Sequence, residues 1–272
     1  MPELPEVETI VRALEPRLRG AEIGRIRVLF PPLLRRTSTR ALRGLEGKKI
    51  LSLGRRGKLA LIHCEGGRTL VFHLKMTGQF LFVRPESPPD KHTRLIIPLA
   101  GRDHDLRFRD VRKFGFLCCV GPSSPAPEIS GLGPEPLEID FRAFAGRIAA
   151  RRGALKGILL DQKVVAGIGN IYADEILFRA GFHPLASGAM LGDQELRTLW
   201  RSMRAILRLA IARKGSSIRD YTDPDGTPGD FQELHRVYGR EGEKCVRCGT
   251  PIRRIRVAGR STFFCPCCQK PV

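Results

Sequence analysis

Val7, Ile10, Val11 and Leu14 recur at i, i+3, i+4 and i+7, the spacing that lines one face of an α-helix. Pro5 suits the first helical position, and Pro16 is expected to end or kink the helix. From about residue 22 to 120 the pattern changes to short β-rich runs: EIGRIRVLF, KKILSL, KLALIHC, TLVFHL, QFLFV, RLIIPL and FGFLCCV. Turn signals such as Glu65-Gly66-Gly67 and Ala100-Gly101 separate some of them, which predicts an antiparallel sandwich or barrel. Residues 121–136 hold five prolines and three glycines and read as a linker or hinge. Helical periodicity follows, through DFRAFAGRIAARR, ALKGILLDQKVV, NIYADEILFRAGF and DQELRTLWRSMRAILRLAIARKG. GSSIRDYTDPDGTPGD then has the composition of a loop, and the tail from Tyr238 contains most of the cysteine. These shifts divide the α+β chain into residues 1–120, 121–136, 137–237 and 238–272.

Charge narrows the partner. The 47 Lys+Arg against 28 Asp+Glu give a formal net charge of +19, and 42% of the 272 residues are hydrophobic. With a mean hydropathy of -0.16 the chain reads as globular, and with a pI of about 10.3 it favours a polyanion, nucleic acid before membrane. No segment approaches the roughly 18 consecutive apolar residues of a membrane span. The start lacks the basic and apolar regions of a secretory signal. A cytosolic protein is expected, nucleoid-associated in a bacterium.

Eight cysteines are too sparse for a disulfide scaffold of this length. Cys245/Cys248 and Cys265/Cys268 instead form two C-x-x-C pairs around sixteen residues, close to a four-cysteine zinc spacing. Cys267 offers an alternative ligand in a shifted register. Four thiolates leave no open coordination position, so one structural zinc ion is expected. Between the pairs, IRRIRV and STFF flank Ala258-Gly259-Arg260 and predict a β-hairpin with Arg260 near its tip. Its arginines, Arg253, Arg254, Arg256 and Arg260, suit phosphates.

PELPEVET, RRGKL, HLKMTG, VRKFG, LGPEPL, LDQKVVAGIGNIYADE, VYGR and the paired C-x-x-C end with CQK occur along nearly the whole chain. In these stretches, and in their order, the sequence resembles the formamidopyrimidine-DNA glycosylases. The resemblance implies an N-terminal β-sandwich domain that includes the N-terminal helix. A helix–two-turn–helix domain and a zinc finger would follow. It implies a bifunctional monomeric enzyme that excises oxidised purines, such as 8-oxoguanine and formamidopyrimidines, from damaged double-stranded DNA and then nicks the strand.

The resemblance also assigns residues. Removal of Met1, which a small second residue permits, would leave Pro2 as a secondary amine. α-Amino groups titrate near 7.7–8.0, so a useful fraction is neutral at physiological pH, and the nearby helix N-terminus favours that form. Pro2 is the implied nucleophile, forming an imine with the sugar. Glu3 is the implied proton donor, a role that desolvation around an everted base would support. Lys58 is implied in elimination and phosphate contact, and Arg260 in phosphate binding and the second, δ, elimination.

Eversion of a base costs a few kcal/mol and leaves a hole. Met76, Arg112 and Phe114 match the family's wedge, in which apolar and aromatic groups stack and a guanidinium pairs with the orphaned cytosine. Lys75 departs from the small residue common at its position and places a charge beside that wedge. Asn170, in the GIGN turn opening a helix, is the implied phosphate ligand at the lesion. His92, Arg151 and Lys156 align with further DNA contacts, and residues 215–236 with a lesion-capping loop. Two alternatives remain: an oxidised-pyrimidine glycosylase of the sister class, and a non-catalytic lesion-binding protein. PELPEVET and the RKF wedge favour the purine reader over the first; Pro2, Glu3 and Lys58 together disfavour the second.

Overall fold

A computed structural model describes residues 1–121, 127–217, 224 and 226–270. The chain divides into two units, Met1–Ser130 with Lys214–Asp230, and Gly131–Arg213 with Phe231–Val272.

The first unit begins with helix α1 (Leu4–Leu18), whose buried face is Val7, Ile10, Val11, Leu14 and Leu18. Glu3 is the N-cap, so Pro5 occupies the second helical position, not the first. Pro16 lies inside the helix, which runs two residues further than expected. Only the last turn loses a donor there, and Leu18, completely buried, holds that turn against the core.

The strands are β1 (Glu22–Ile23), β2 (Arg27–Val28), β3 (Ile50–Arg56), β4 (Leu59–Cys64), β5 (Arg68–His73), β6 (Gly78–Val83), β7 (Thr93–Ile97), β8 (Leu99–Ala100), β9 (Asp105–Asp110) and β10 (Phe116–Val120). A short helix α2 (Thr39–Arg43) precedes β3, and another, α3 (Pro127–Ser130), follows β10. Two four-stranded sheets, ordered β10-β5-β4-β3 and β2-β7-β9-β6, form the layers, with β1 and β8 paired separately. Phe72 of β5 meets Phe80 of β6 and Phe108 of β9 at ring separations of 4.9 and 5.5 Å, so the sheets face each other across one core. That core also takes the α1 face and Leu70, Leu95 and Leu106.

Strand β9 escapes the hydrophobic pattern. DLRFRD carries four charges, yet it is an interior strand between β7 and β6. Arg107 is only 3% exposed, and its guanidinium donates to the carbonyls of Arg84, Ser87 and Pro88. Backbone acceptors thus take both terminal nitrogens of a buried cation that composition alone would place outside, and Asp105 Oδ2 lies 3.8 Å from it.

The second unit contains α4 (Phe141–Ala149), α5 (Leu155–Leu160), α6 (Asn170–Ala180) and α7 (Asp193–Ala212), with the hairpin β11 (Arg253–Val257) and β12 (Arg260–Phe264). Tyr172, Ile176 and Leu177 of α6 pack with Leu199, Met203 and Leu207 of α7 in the helical core. A double turn, residues 161–169, joins α5 to α6.

Two placements differ from the compositional divisions. The later part of the proline-rich segment packs on the helical unit: Gly133 N–H donates to Gln162 O at 2.7 Å, and Ala166 N–H to Pro134 O at 3.0 Å. Residues 122–126 of that segment lie outside the described residues. Lys214–Asp230, assigned by sequence to the helical part, associates with the sandwich. Of the expected capping loop, residues 218–223 and 225 lie outside the described residues. No helix among the described residues is long and apolar enough to cross a membrane.

Candidate active site

The α1 N-terminus is built around a carboxylate. Glu6 Oε2 accepts the Glu3 N–H at 2.7 Å, and Glu6 Oε1 accepts the Ser216 N–H at 2.8 Å. Glu3 is 3% exposed, Glu6 is 2% exposed, and Pro2 is buried. A negative group in the first turn also answers the helix dipole. The acidic, proline-marked start of the chain is therefore fixed on both sides.

Helix α1 lies on β3 and β4. Glu8 accepts from Arg12 Nε at 2.7 Å and from Arg55 Nε at 2.8 Å. Burial raises the Glu8 pKa, but the hydrogen bonds and charges of Arg55 and Arg12 outweigh it and hold the group below its ordinary value. Arg55 Nη1 also donates to the Gly57 carbonyl at 3.1 Å. One arginine thus links α1 to the β3–β4 turn, and the next residue in that turn is Lys58. Lys58 is only 8% exposed, unlike an ordinary surface lysine.

Beside this turn, His73 has its pKa pushed down to about 3 by burial, with the Lys75, Lys58 and Arg35 charges adding to it. Its Nδ1 accepts the Lys75 N–H at 3.0 Å, so the neutral ring carries its proton on Nε2. Lys75 has a left-handed backbone with φ 54°. Burial lowers its pKa, and Arg35 lowers it further.

Met76, Arg112 and Phe114 are all exposed, at 39% for Met76 and 53% for Phe114. Arg112 Nη1 approaches Met76 Sδ at 2.9 Å, and its guanidinium lies 4.8 Å from the Phe114 ring centre. The structure brings these three together on one end of the β6–β9 pair. His92 is half-buried, with its carbonyl accepting the Asp110 N–H at 2.9 Å.

In the second unit, Gln162 shapes the turn before α6. Its Nε2 donates to the Leu160 and Ile168 carbonyls, and its Oε1 accepts the Gly167 N–H. Asn170 opens α6 and donates to Ser261 O at 3.0 Å, while its Oδ1 is buried with no hydrogen-bond partner among the described residues. Arg260 is exposed and follows the hairpin turn at Ala258 and Gly259, both with positive φ (47° and 73°) as a two-residue turn requires. Arg151 is exposed, 3.9 Å from Asp161.

Lys156 requires a correction. Expected as a DNA contact, it is completely buried, and its ammonium bonds Asp174 Oδ1 (2.8 Å), Ser261 O (3.0 Å) and Thr262 Oγ1 (2.8 Å). All three donors are engaged inside the protein, so no proton is left for a phosphate. Asp174 Oδ2 in turn accepts the Phe263 N–H at 3.0 Å. Burial pushes the Asp174 carboxyl up to about 7 against the attraction of Lys156.

Cys245, Cys248, Cys265 and Cys268 present sulfurs within 4.8 Å of one another. Zn–S bonds of about 2.3 Å in a tetrahedron place sulfurs about 3.8 Å apart. The Cys245–Cys268 and Cys248–Cys265 separations, 3.9 and 3.5 Å, fit that ion closely. Cys267 is exposed and outside the group, which resolves the register. N–H groups of Arg247 and Cys268 point at Cys245 and Cys265 sulfurs, as anionic thiolates need. The site is a structural zinc centre; the metal would fix the hairpin that carries Arg260.

Sequence reading missed the residues that hold these groups: Glu6, Arg55, Asp110, Gln162, Asp174 and Glu175. Glu175, 1% exposed, accepts the N–H groups of Arg236, Val237 and Tyr238. Only Glu6 carried a local signal, an acid three residues after a helix cap.

A sandwich with a proline-led helix, a double-turn helical unit and a four-thiolate hairpin define a DNA-repair glycosylase architecture. Comparison with known proteins agrees. The formamidopyrimidine-DNA glycosylase N-terminal domain profile matches residues 1–117, the H2TH domain profile 132–222, and the zinc finger found in FPG and IleRS 242–271. A formamidopyrimidine-DNA glycosylase of Carboxydothermus hydrogenoformans is 47% identical, covering 99% of this chain and all of that protein. A point mutant of Lactococcus lactis FPG, solved with Fapy-dG containing DNA, superposes with a TM-score of 0.92 at 39% identity, covering 99% of this chain and 100% of that one. The MutM (FPG) protein of Thermus thermophilus gives 0.89 at 44% identity, with full coverage of both chains. The chain belongs to the formamidopyrimidine-DNA glycosylase family, DNA glycosylases with AP lyase activity that act in base-excision repair.

Proposed function

We propose that this protein removes oxidised purines, 8-oxoguanine and formamidopyrimidines, from duplex DNA through a Pro2 Schiff base followed by β,δ-elimination. The observation that carries this reading is the linkage from Glu8 through Arg55 to Gly57, which ties the helix behind Pro2 and Glu3 to the turn bearing Lys58. With Met1 removed, the Pro2 nitrogen attacks C1′ of the lesion nucleotide. Glu3, adjoining it, donates the proton that opens the sugar or accompanies base departure. Iminium formation then acidifies the C2′ protons. Loss of the 3′ phosphate, then of the 5′ phosphate, leaves a one-nucleotide gap.

Met76, Arg112 and Phe114 fill the space left by the everted base, Phe114 stacking and Arg112 hydrogen-bonding the opposite cytosine. Their exposure supports that role, since wedge residues must be free to enter DNA. Asn170, Arg260, His92, Arg151 and Lys58 serve the backbone. Lys156 serves it indirectly, by holding the hairpin strand next to Arg260.

Borohydride trapping tests the mechanism. A covalent adduct on 8-oxoguanine:cytosine duplex is expected; no adduct from protein lacking Met1 refutes the amine mechanism. A parallel cleavage assay with thymine-glycol duplex separates purine from pyrimidine preference.

A further inference from the structure

Asp110 ends β9 and is completely buried. Its Oδ1 accepts from Thr77 Oγ1, and its Oδ2 accepts the Gly115 N–H at 2.7 Å. Thr77 Oγ1 in turn accepts the Arg112 N–H at 3.0 Å. Gly78 and Asp110 pair in register, so the loop before β6 and the loop after β9 leave the sheet side by side. The first carries Met76; the second carries Arg112 and Phe114. One carboxylate therefore holds both loops.

Neither loop is a relaxed turn. Lys75 and Lys113 both have left-handed backbones, φ 54° and 61°, which non-glycine residues adopt at a cost and keep only where surroundings enforce them. Packing is equally tight: a Cβ at Gly115 would lie 2.9 Å from Phe108 Cζ and 3.1 Å from Asp110 Oδ2. The anchors at the loop bases, Thr77 and Asp110, are buried, while the tips that Met76 and Phe114 occupy are exposed.

We propose that Asp110, acting through Thr77, is the positioning residue of the wedge: it pre-sets Met76, Arg112 and Phe114 as one unit for entry into DNA. The inference rests on the wedge reading above. A flexible wedge would lose ordering entropy at each insertion; a pre-set one does not. The effect falls on base eversion, and much less on strand cleavage at a site with no base to evert.

The test uses full-length, zinc-loaded protein with Thr77→Val, Thr77→Ser and Asp110→Asn. Single-turnover excision from 8-oxoguanine:cytosine duplex is compared with cleavage of the same duplex carrying a preformed abasic site. Removing a buried hydrogen bond is expected to lower the excision-to-cleavage ratio of Thr77→Val about tenfold. Thr77→Ser, which keeps the hydroxyl, is expected to restore it. Fluorescence of 2-aminopurine next to an abasic site reads wedge entry directly, and its rise is expected to slow in Thr77→Val. An unchanged ratio with an unchanged fluorescence rise overturns the proposal, as does an equal fall in both reactions with no rescue by serine. Should Asp110→Asn fail to fold, the Thr77 pair decides alone. Wild-type protein that leaves 8-oxoguanine in place refutes the substrate reading instead, and the abasic-site fluorescence still decides the wedge.

Discussion

Glu6 accepts the backbone N–H of Ser216 at 2.8 Å, across 210 positions of sequence, with the carboxylate oxygen that Glu3 does not use. One buried side chain thereby holds both the segment next to Pro2 and the root of Lys214–Asp230. Glu6→Gln replaces one acceptor oxygen with a donor that faces another N–H. Hydrogen bonds to charged groups contribute about 1.5–3 kcal/mol, so the rate of borohydride trapping is expected to fall roughly tenfold or more. A trapping rate within twofold of wild type would show that this fixation does not matter to the chemistry.

The proposed amine mechanism requires removal of Met1. Intact-mass measurement is expected to show loss of Met1. A variant with one additional residue before Pro2, which converts the amine to an amide, is expected to bind abasic DNA but give no trapped adduct. Adduct formation by that variant would move the nucleophile elsewhere.

His73 gives a pH dependence with a definite sign. Its folded pKa, about 3, lies below the ordinary 6.5, so between these values the unfolded chain binds the extra proton. The stability it supports is complete above pH 6.5 and declines as pH falls toward 3, by at most about 1.4 kcal/mol per pH unit. His235, lowered to about 4 by burial, acts in the same direction. His73→Asn keeps an acceptor for the Lys75 N–H but cannot titrate. Urea midpoints between pH 7 and 4.5 are expected to fall less steeply in this variant than in wild type.

The enclosed Lys156–Asp174 pair separates bracing from phosphate contact. Lys156→Met leaves Asp174 buried without its cation, which is expected to cost about 3–5 kcal/mol in unfolding experiments. A direct phosphate contact would instead leave stability unchanged and reduce the salt dependence of DNA binding by about one ion.

Metal analysis is expected to find one zinc per chain. Cys267→Ser should retain it and Cys265→Ser should lose it, because only the latter supplies a sulfur to the four-thiolate group. Equal loss in both would reopen the register.

Much of the fold was legible because local rules agreed. The helical period gave α1, the glycine-containing turn gave the hairpin with Arg260 near its tip, and the doubled C-x-x-C spacing gave the zinc centre. Strand β9 was not legible, since the terminal nitrogens of its buried Arg107 are held by carbonyls 19 to 23 residues away. Lys156 was misjudged for the same reason: its partners, Asp174, Ser261 and Thr262, are distant in sequence.

The sequence by itself determined which chemical groups are present: a proline at the second position, an adjacent acid, a lysine after a glycine, the Met76, Arg112 and Phe114 side chains, and four thiols of a doubled C-x-x-C. Periodicity and spacing act over a few residues, so they report such groups and the elements that carry them. Only the tertiary structure decided which charges face solvent and which are enclosed. Burial makes a polar group depend on whichever partners the fold supplies, and Glu6, Asp110 and Asp174 find theirs across loops and strands that no local pattern connects.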